Sequence, residues 1–320
     1  MNHSLYVIGI DGGGTKTSAI LCALDGTILS EAQGGPSNVQ TNDIKQIGHT
    51  ITDLIETCCH SMGCNISQIG AIVAGLAGAG RLADQKRIIV QLQEESQQRD
   101  LTLNNLIVES DARCALEGAL NGKPGIVVIA GTGSIVVGKD EKGKIYRAGG
   151  WGKLIGDDGS GYYIGREALR AVAQTLDGYG EKTRLRRLLD ERLGFSLQEN
   201  IIDAVYKQNF DIASLAPFVI EAASGGDKKA KGILTNASND LCRTIQSIMR
   251  AMNKSTKKVS TRFLSFSGSL IANDNWYSKK LKSTIKRELP LISIHPAESS
   301  PVVGAAIMAI DILSKRNVVS

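Results

Sequence analysis

The sequence predicts an α/β protein built from two related halves. Short continuous apolar runs, typical of strands buried on both faces, alternate with segments whose apolar residues have helical spacing. A pattern of strand, glycine-containing turn, strand, turn and strand occurs at residues 5–30 and returns at about 125–146. The length of 320 residues agrees with two domains of ordinary size.

The first half begins with the apolar run Leu5–Ile10, a buried strand, and continues after Gly12–Gly14 with a second strand at Ser18–Leu24. Asp25-Gly26 supplies the turn residues of a hairpin before a third strand, Thr27–Ser30. The loop in GIDGGGTKT therefore joins two antiparallel strands. Later elements are expected as a helix over 43–62, a strand over Ile69–Ala74, a helix over Asp84–Gln97, a strand over Leu106–Glu109 and a helix over Asp111–Leu120.

The stretch NGKPG at 121–125 predicts a domain boundary. We expect an N-terminal domain over 1–121, completed by the C-terminal helix 301–320, and a second domain with helical insertions over 122–300. The second half restarts with strands at Gly125–Ala130, at Ile135–Gly138 and near Tyr146. The elements expected after these are helices at 161–176, 182–193, 212–223 and Asp227–Met252, a strand at Phe263–Phe266 and a last helix at Pro301–Ser314.

Composition and charge exclude several classes of partner. No apolar run reaches the roughly 18–20 residues of a membrane span, and the N-terminus has neither a basic start nor a cleavage site, so we expect a cytoplasmic protein without a membrane partner. The net charge is +5, but the basic residues are scattered and not interleaved with aromatic residues. A solvated surface is therefore favoured over nucleic-acid binding.

The glycines beside Lys16 indicate phosphate binding, but two common motifs do not fit. A Walker loop requires G-x-x-x-x-G-K-[ST] between a strand and a helix, whereas here Thr15 separates Gly14 from Lys16 and a strand follows. The segment GAGRLA at 78–83 matches a Rossmann G-x-G-x-x-A pattern. The acidic residue expected about 20 positions later comes too late, near Glu109, so a glycine turn that packs a strand on a helix is favoured.

A pair of β-turns is the remaining way to hold phosphates. Consecutive backbone N–H groups in a glycine turn form a concave anion site. Hydroxyl groups of Thr15, Thr17, Thr132 and Ser134 add donors. One such turn in each half, facing across a cleft, would hold the polyphosphate of a nucleotide.

Four motifs carry a resemblance to the acetate kinase–sugar kinase–Hsp70–actin superfamily. They are DGGGT at 11–15, GTGS at 131–134, FSGS at 266–269 and PVVGAA at 301–306. Within it, SDARCALEGA at 110–119, GGWGKLIGDDGSGYYIGREAL at 149–169 and GGDKKAKGIL at 225–234 resemble the N-acetylglucosamine kinase group of the BadF/BadG/BcrA/BcrD-type ATPases. The resemblance implies two duplicated ribonuclease H-like (actin-like ATPase) domains with a nucleotide cleft between them.

The resemblance also implies roles for individual residues. Asp111 would be the general base that takes the proton of the sugar hydroxyl. Its position at the start of a helix offers an N-cap as the alternative role, and the two roles are compatible. Asp11 would contact Mg²⁺ at the phosphates, or else would only form the turn. Lys16 would neutralise phosphate charge, or else would be a solvated strand residue.

The two binding sites follow from the same resemblance. The ATP-binding residues would be Gly13, Gly14, Thr15, Lys16, Thr17, Gly131, Thr132, Gly133, Gly226, Gly268 and Ala272. The sugar-binding residues would be Asn38, Asp111, Ser134, Ile135, Gly150, Trp151, Gly152 and Asp157. Asn38 has turn formation as an alternative, and Asp158 is expected to cap the helix that starts at 161.

The function implied is ATP- and Mg²⁺-dependent phosphorylation of N-acetylglucosamine at its 6-hydroxyl, with glucosamine or N-acetylmuramic acid as alternative substrates. An activator of a 2-hydroxyacyl-CoA dehydratase or benzoyl-CoA reductase is disfavoured because residues 125–240 contain no cysteine to ligate an iron–sulfur cluster. An ATPase switch that transfers no phosphate would have no use for the predicted hydroxyl-binding residues. Members of the family are often dimers, and the sequence leaves the oligomeric state open.

Overall fold

The computed structural model describes residues 5–256 and 262–317 and divides into two compact units. The first unit comprises Met1–Lys123 together with Ala297–Ser320, and the second comprises Pro124–Pro296. The chain therefore returns at its end to the unit in which it began. Residues 318–320, which the expected C-terminal helix included, lie outside the described residues.

The first unit contains one mixed five-stranded sheet of order β3-β2-β1-β4-β5. Strand β1 pairs antiparallel with β2 and parallel with β4, and β4 pairs parallel with β5. The strands are β1 (Tyr6–Gly12), β2 (Thr17–Ala23), β3 (Ile28–Gly34), β4 (Ile69–Leu76) and β5 (Leu106–Ser110). The helices are α1 (Ile44–Met62), α2 (Leu82–Gln98), α3 (Asp111–Ala119) and, from the chain end, α10 (Pro301–Asn317).

Both faces of this sheet are covered, which explains the continuous apolar run of β1. Ile8 and Ile10 belong to a core formed with α1 and α2, whereas Val7 belongs to a second core formed with α10. Successive side chains of a strand point to opposite faces, so each face of β1 receives its own apolar set.

The second unit repeats this arrangement, with strand order β8-β7-β6-β9-β10. Its first three strands form an antiparallel meander, and β9 and β10 are added in parallel. The strands are β6 (Gly125–Ala130), β7 (Ser134–Lys139), β8 (Ile145–Gly149), β9 (Arg262–Ser267) and β10 (Ile292–Ile294). The helices are α4 (Gly161–Leu176), α5 (Arg184–Leu193), α6 (Gln198–Ile202), α7 (Ala216–Ser224), α8 (Lys228–Thr256) and α9 (Trp276–Glu288).

The sequence-based assignment missed α6, α9 and β10. It also extended one helix over 212–223, where the structure has a 3₁₀ turn at Ile212–Leu215 before α7 begins. Pro217 lies in the first turn of α7, where a residue without an N–H is tolerated, and this favours a helix start at that point. In the described ranges no helix combines the length and apolarity that crossing a membrane would need.

Candidate active site

The glycine turn of the first unit joins β1 to β2. Gly13 N donates to Lys16 O at 3.0 Å, and this contact closes the turn while Gly14, Thr15 and Lys16 stay exposed. Three successive residues of the predicted phosphate loop are therefore accessible to a ligand.

Thr17 differs from its neighbours because it is fully buried. Its hydroxyl donates to Gly35 O at 2.6 Å and is 2.7 Å from Ser37 Oγ. The side chain therefore ties the turn to the segment after β3. A contact between its hydroxyl and ATP stays a prediction that this geometry does not support.

Asp11 is the second-to-last residue of β1, and Asp111 directly follows β5. Burial raises the pKa of Asp11 to about 6, with a further rise from the charge of Asp111 and a smaller opposing effect of Lys16. The two carboxylates therefore share one electrostatic environment at the carboxyl ends of the strands, although about 100 residues separate them in sequence.

The expected capping role of Asp111 is wrong. Ser110 is the N-cap of α3 and accepts a hydrogen bond from Arg113 N at 3.2 Å. Asp111 occupies the first helical position, is exposed, and accepts from Ala112 N at 2.8 Å through Oδ1. Because Ser110 is the cap, Asp111 lies in the first turn of the helix, where its side chain is exposed to solvent.

Asn38 lies in a loop that is fastened on two sides. Ser37 N donates to Gly13 O at 2.9 Å, and Val39 N donates to Ala77 O at 2.9 Å. Asn38 Oδ1 accepts from Gln40 N at 2.9 Å, so the side chain forms the turn that the sequence offered as an alternative role. Its Nδ2 has no acceptor among the described residues, and a sugar hydroxyl as its partner stays a prediction.

The Rossmann-like glycines at 78–83 have a packing role. A Cβ at Gly78 would lie 3.1 Å from Asn38 Oδ1 and 2.9 Å from Gln40 Cγ. Gly78 therefore allows the loop that carries Asn38 to approach the end of β4.

The glycine turn of the second unit joins β6 to β7. Gly131 N donates to Gly133 O at 2.9 Å, and the first residues of α4 bind the turn, with Gly161 N donating to Gly131 O at 2.7 Å and Tyr162 N to Thr132 O at 3.2 Å. The Ser134 hydroxyl donates to Asp158 O at 2.8 Å. The turn is thus held by the protein while Thr132 remains exposed.

The FSGS segment lies against the start of this turn. A Cβ at Gly268 would collide with Ala130 O, and Gly268 has φ +91°, so both the close approach and the backbone conformation favour glycine. Leu270 N donates to Ala130 O at 3.2 Å, and Ala272 N donates to Gly268 O at 3.0 Å. The structure therefore brings Gly268 and Ala272 next to the phosphate turn of the same unit.

Gly226 lies in the turn between α7 and α8, where no described atom is within 4 Å of a Cβ built on it. Asp227 caps α8 by accepting from Ala230 N at 2.8 Å. Its other oxygen accepts from Arg184 N at 2.7 Å.

The predicted sugar residues of the second unit form one cluster around Asp157. Asp157 Oδ1 accepts from Gly152 N at 3.0 Å, and a Cβ at Gly133 would lie 2.7 Å from Asp157 Oδ2. A Cβ at Gly150 would lie 2.9 Å from Ile135 Cδ1. Gly133 and Gly152 therefore lie next to Asp157, and Gly150 lies next to Ile135 of β7.

Burial raises the pKa of Asp157, the Gly152 N–H lowers it, the charge of Asp158 raises it and the charge of Arg147 lowers it. The expected capping role of Asp158 is wrong, because Ser160 caps α4 by accepting from Tyr163 N at 3.2 Å. Asp158 contributes its backbone carbonyl to Ser134 instead.

Arg147 belongs to this cluster and was missed by the sequence analysis. Its Nη2 donates to Gly150 O at 2.8 Å. Residues 147 and 149 of β8 point to the same face of the sheet, because side chains alternate along a strand. Its position two residues before the motif GGWG is the sequence signal that could have identified it.

An open groove of about 620 Å³ runs along this part of the second unit, and Ser134, Ile135 and Trp151 are among the residues that line it. Trp151 is 72% exposed and therefore does not fill a core. A smaller cavity of about 330 Å³ is lined by residues of α4 and α8 and by Glu181, and none of the predicted site residues borders it.

Within the described ranges, no group of three or more His, Cys, Asp or Glu side chains could hold a metal ion. A metal at Asp11 would therefore draw further ligands from phosphate oxygens and water. Mg²⁺ binds in this way, through one or two carboxylates plus phosphates, so the donor set fits it.

Comparison with known proteins agrees with these observations. The sequence profile of the BadF/BadG/BcrA/BcrD ATPase family matches residues 8–309. The chain belongs to this family. It is 34% identical over 308 residues to an N-acetylmuramic acid/N-acetylglucosamine kinase of Clostridium acetobutylicum, which covers 95% of this chain and 98% of that protein.

The chain is also 32% identical to an N-acetyl-D-glucosamine kinase of Dictyostelium discoideum, covering 95% of this chain and 97% of that protein. Among solved structures, a protein of Chromobacterium violaceum provisionally described as an N-acetylglucosamine kinase superposes with a TM-score of 0.69 at 25% identity, covering 96% of this chain and 99% of that one. The family member thus has the expected two-domain α/β fold of actin-like ATPases and sugar kinases.

Proposed function

We propose that this family member transfers the γ-phosphate of ATP to the 6-hydroxyl of N-acetylglucosamine. The relatives that cover nearly the whole chain are described as kinases of N-acetylglucosamine or N-acetylmuramic acid, and they support an amino sugar as the acceptor. A third relative, a glucosamine kinase of Vibrio cholerae, is 27% identical over 74% of this chain and keeps glucosamine as an alternative substrate.

The observation that carries the proposal is the position of Asp11 and Asp111 at one edge of the first sheet: Asp11 pairs with Gly75 of β4, and Gly75 pairs with Glu109 of β5, two residues before Asp111. Phosphoryl transfer depends on positioning and on charge stabilisation, and it uses a carboxylate to orient and deprotonate the attacking hydroxyl. Asp111, exposed at the start of α3, can accept that proton. Asp11, more buried, would hold Mg²⁺, which when bound neutralises charge on the phosphates.

The nucleotide and the sugar would use the groups described above. The exposed N–H groups and side chains of Gly14, Thr15 and Lys16, with the turn at Gly131–Gly133, would bind the phosphates of ATP. Asn38 and Asp157 would bind sugar hydroxyls, for which amide and carboxylate groups offer complementary donors and acceptors.

An iron–sulfur activator remains disfavoured. The second unit contains a single cysteine, Cys242, and it is buried in the apolar core of that unit. A cluster shared between subunits would require accessible thiolates.

The test is ADP release measured with N-acetylglucosamine, glucosamine, N-acetylmuramic acid and glucose. Asp111→Asn keeps the shape of the side chain but removes the base, so we expect kcat to fall about 10²- to 10⁴-fold with little change in the Kd of ATP. Asp84→Asn, in the first turn of α2 of the same unit, is the matched control and should keep wild-type turnover.

Two results would contradict the proposal. Near-normal turnover of Asp111→Asn would remove Asp111 from the chemical step. A rate of ADP release by the wild-type protein that none of the four sugars increases would show that the protein is no sugar kinase.

A further inference from the structure

Arg147, a cation next to the predicted sugar residues of the second unit, has no ion pair among the described residues. Its guanidinium donates to Gly150 O at 2.8 Å, and its Nη2 lies 3.0 Å from the position of a Cβ on Gly150. In the part of the chain that the structure describes, no carboxylate is within ion-pair distance of this guanidinium. The arginine is exposed, so its remaining N–H groups face solvent.

Arg147 lies next to two of the predicted sugar residues, Gly150 and Ile135. Ile135 Cδ1 and Arg147 Nη2 flank the same side of Gly150. The charge of Arg147 also lowers the pKa of Asp157, the carboxylate at the centre of the cluster. Because Gly150 has no side chain, the space next to this guanidinium stays open.

N-Acetylglucosamine and glucosamine carry no anionic group that would use such a cation. N-Acetylmuramic acid differs from N-acetylglucosamine by a lactyl ether whose carboxylate is ionised at neutral pH. A guanidinium presents parallel N–H donors that match a carboxylate, which makes arginine the favoured partner for such a group.

We propose that Arg147 is a specificity-determining residue that binds a carboxylate carried by the amino-sugar substrate. This inference rests on the proposed function, since it assigns a substrate class to the same site. Arg147 takes no part in phosphate transfer. It makes a contact that only acidic amino sugars can use.

A competing explanation is that Arg147 acts only through Asp157 by keeping that carboxylate ionised. In that case the loss of Arg147 would affect every sugar alike and would shift the acid limb of the pH–rate profile. The two explanations therefore predict different ratios of kcat/KM between the acid and its ester. This ratio does not depend on the amount of active enzyme.

The experiment compares kcat/KM for N-acetylmuramic acid, its methyl ester and N-acetylglucosamine in four proteins: wild type, Arg147→Met, Arg147→Lys and Arg187→Met. The ester has nearly the size of the acid but lacks its charge. Arg187→Met removes an exposed arginine of α5 that pairs with Glu191 and serves as the matched control.

We expect the wild type and Arg187→Met to prefer the acid over the ester by about 10- to 100-fold, the range of a charge-assisted hydrogen bond. Arg147→Met should abolish that preference, and any loss of kcat/KM for N-acetylglucosamine should equal the loss for the methyl ester, because neither sugar carries a carboxylate. Arg147→Lys should keep part of the preference, since the charge remains but the paired donors are lost.

Three outcomes would overturn the inference. The first is a wild type that phosphorylates N-acetylglucosamine but shows no preference for the acid over its ester, a result that leaves the proposed function intact. The second is an equal loss for all three sugars in Arg147→Met with a displaced pH profile, which would assign the residue to positioning Asp157. The third is an acid-to-ester ratio of kcat/KM that is unchanged in Arg147→Met. If the wild type phosphorylates none of the sugars, the proposed function itself is refuted.

Discussion

At the residue scale, Asp11 combines a cost in stability with a use in function. A carboxylate that is largely removed from water next to a second carboxylate disfavours its own ionisation, and its pKa accordingly rises from 3.8 to about 6. A bound divalent cation would reverse this balance because it favours the ionised form.

This cost predicts how stability depends on pH. Because the folded-state pKa lies above the unfolded value, the stabilisation associated with protonated Asp11 is complete below about pH 4 and is lost as pH rises through about 6. Asp11→Asn cannot ionise, so without Mg²⁺ it should exceed the wild type in free energy of unfolding at pH 8 by up to about 3 kcal/mol.

Urea unfolding at pH 4, 5, 6 and 8 in a metal-free buffer measures this difference. The advantage of Asp11→Asn should shrink steadily as pH falls, and the variant should have lost Mg²⁺-dependent turnover. An equal difference at all four pH values would show that Asp11 is not the titrating group.

At the scale of elements, the phosphate turn and the loop carrying Asn38 form one connected piece. The Thr17 hydroxyl contacts both Gly35 O and Ser37 Oγ, and Ser37 N binds Gly13 O at 2.9 Å. Displacement of either loop therefore acts on the other through buried hydrogen bonds.

Thr17→Val tests this connection because it keeps the shape and removes the hydroxyl. The variant leaves Gly35 O and Ser37 Oγ without a shared partner and should lose about 1–3 kcal/mol of stability. We expect the KM values of ATP and of the sugar to rise together, and Thr17→Ser, which retains the hydroxyl, to restore most of both.

Steady-state kinetics with each substrate varied in turn provides the measurement, and thermal unfolding gives the stability. A Thr17→Val protein that is less stable but has unchanged KM values for both substrates would show that the contact is structural only.

The same elements show how far the sequence could predict the site. The strand periodicity and the turn chemistry of residues 5–30 were sufficient to place GIDGGGTKT between two antiparallel strands, and the structure confirms this placement. The contact between Thr17 and Ser37 depends on the register of β2 and β3, which local patterns do not define. Helix α9 was missed although Tyr277, Leu281 and Ile285 are spaced for one buried helical face.

At the scale of the whole molecule, each unit repeats one sheet order, and the first unit is completed by the chain end. Small residues allow the backbone of α10 to come into close contact with the backbones of the sheet and of α3. A Cβ at Gly9 of β1 would collide with Ala306 N and lie 2.6 Å from Val302 O. The motif PVVGAA indicated a helix of small residues, but the depth of this contact is a tertiary property that a single sequence does not reveal.

Gly304 of α10 and Gly232 of α8 provide a matched pair of helix glycines with opposite surroundings. A Cβ at Gly304 would collide with Cys114 O and Gly118 N of α3, whereas no described atom lies within 4 Å of a Cβ at Gly232. Gly304→Ala should therefore cost about 3 kcal/mol through overpacking against a rigid backbone. Gly232→Ala should gain about 0.5–1 kcal/mol from helix propensity alone.

Both tryptophans lie in the second unit, so their fluorescence follows the unfolding of that unit, while far-UV circular dichroism follows the whole chain. Gly304→Ala should lower the urea midpoint seen by circular dichroism, because α10 covers β1 and β4 of the first unit. Gly232→Ala should raise the midpoint seen by fluorescence. A Gly304→Ala protein as stable as the wild type would mean that α10 can withdraw from α3 without cost, and the chain end would then be an attachment to the first unit and not part of its core.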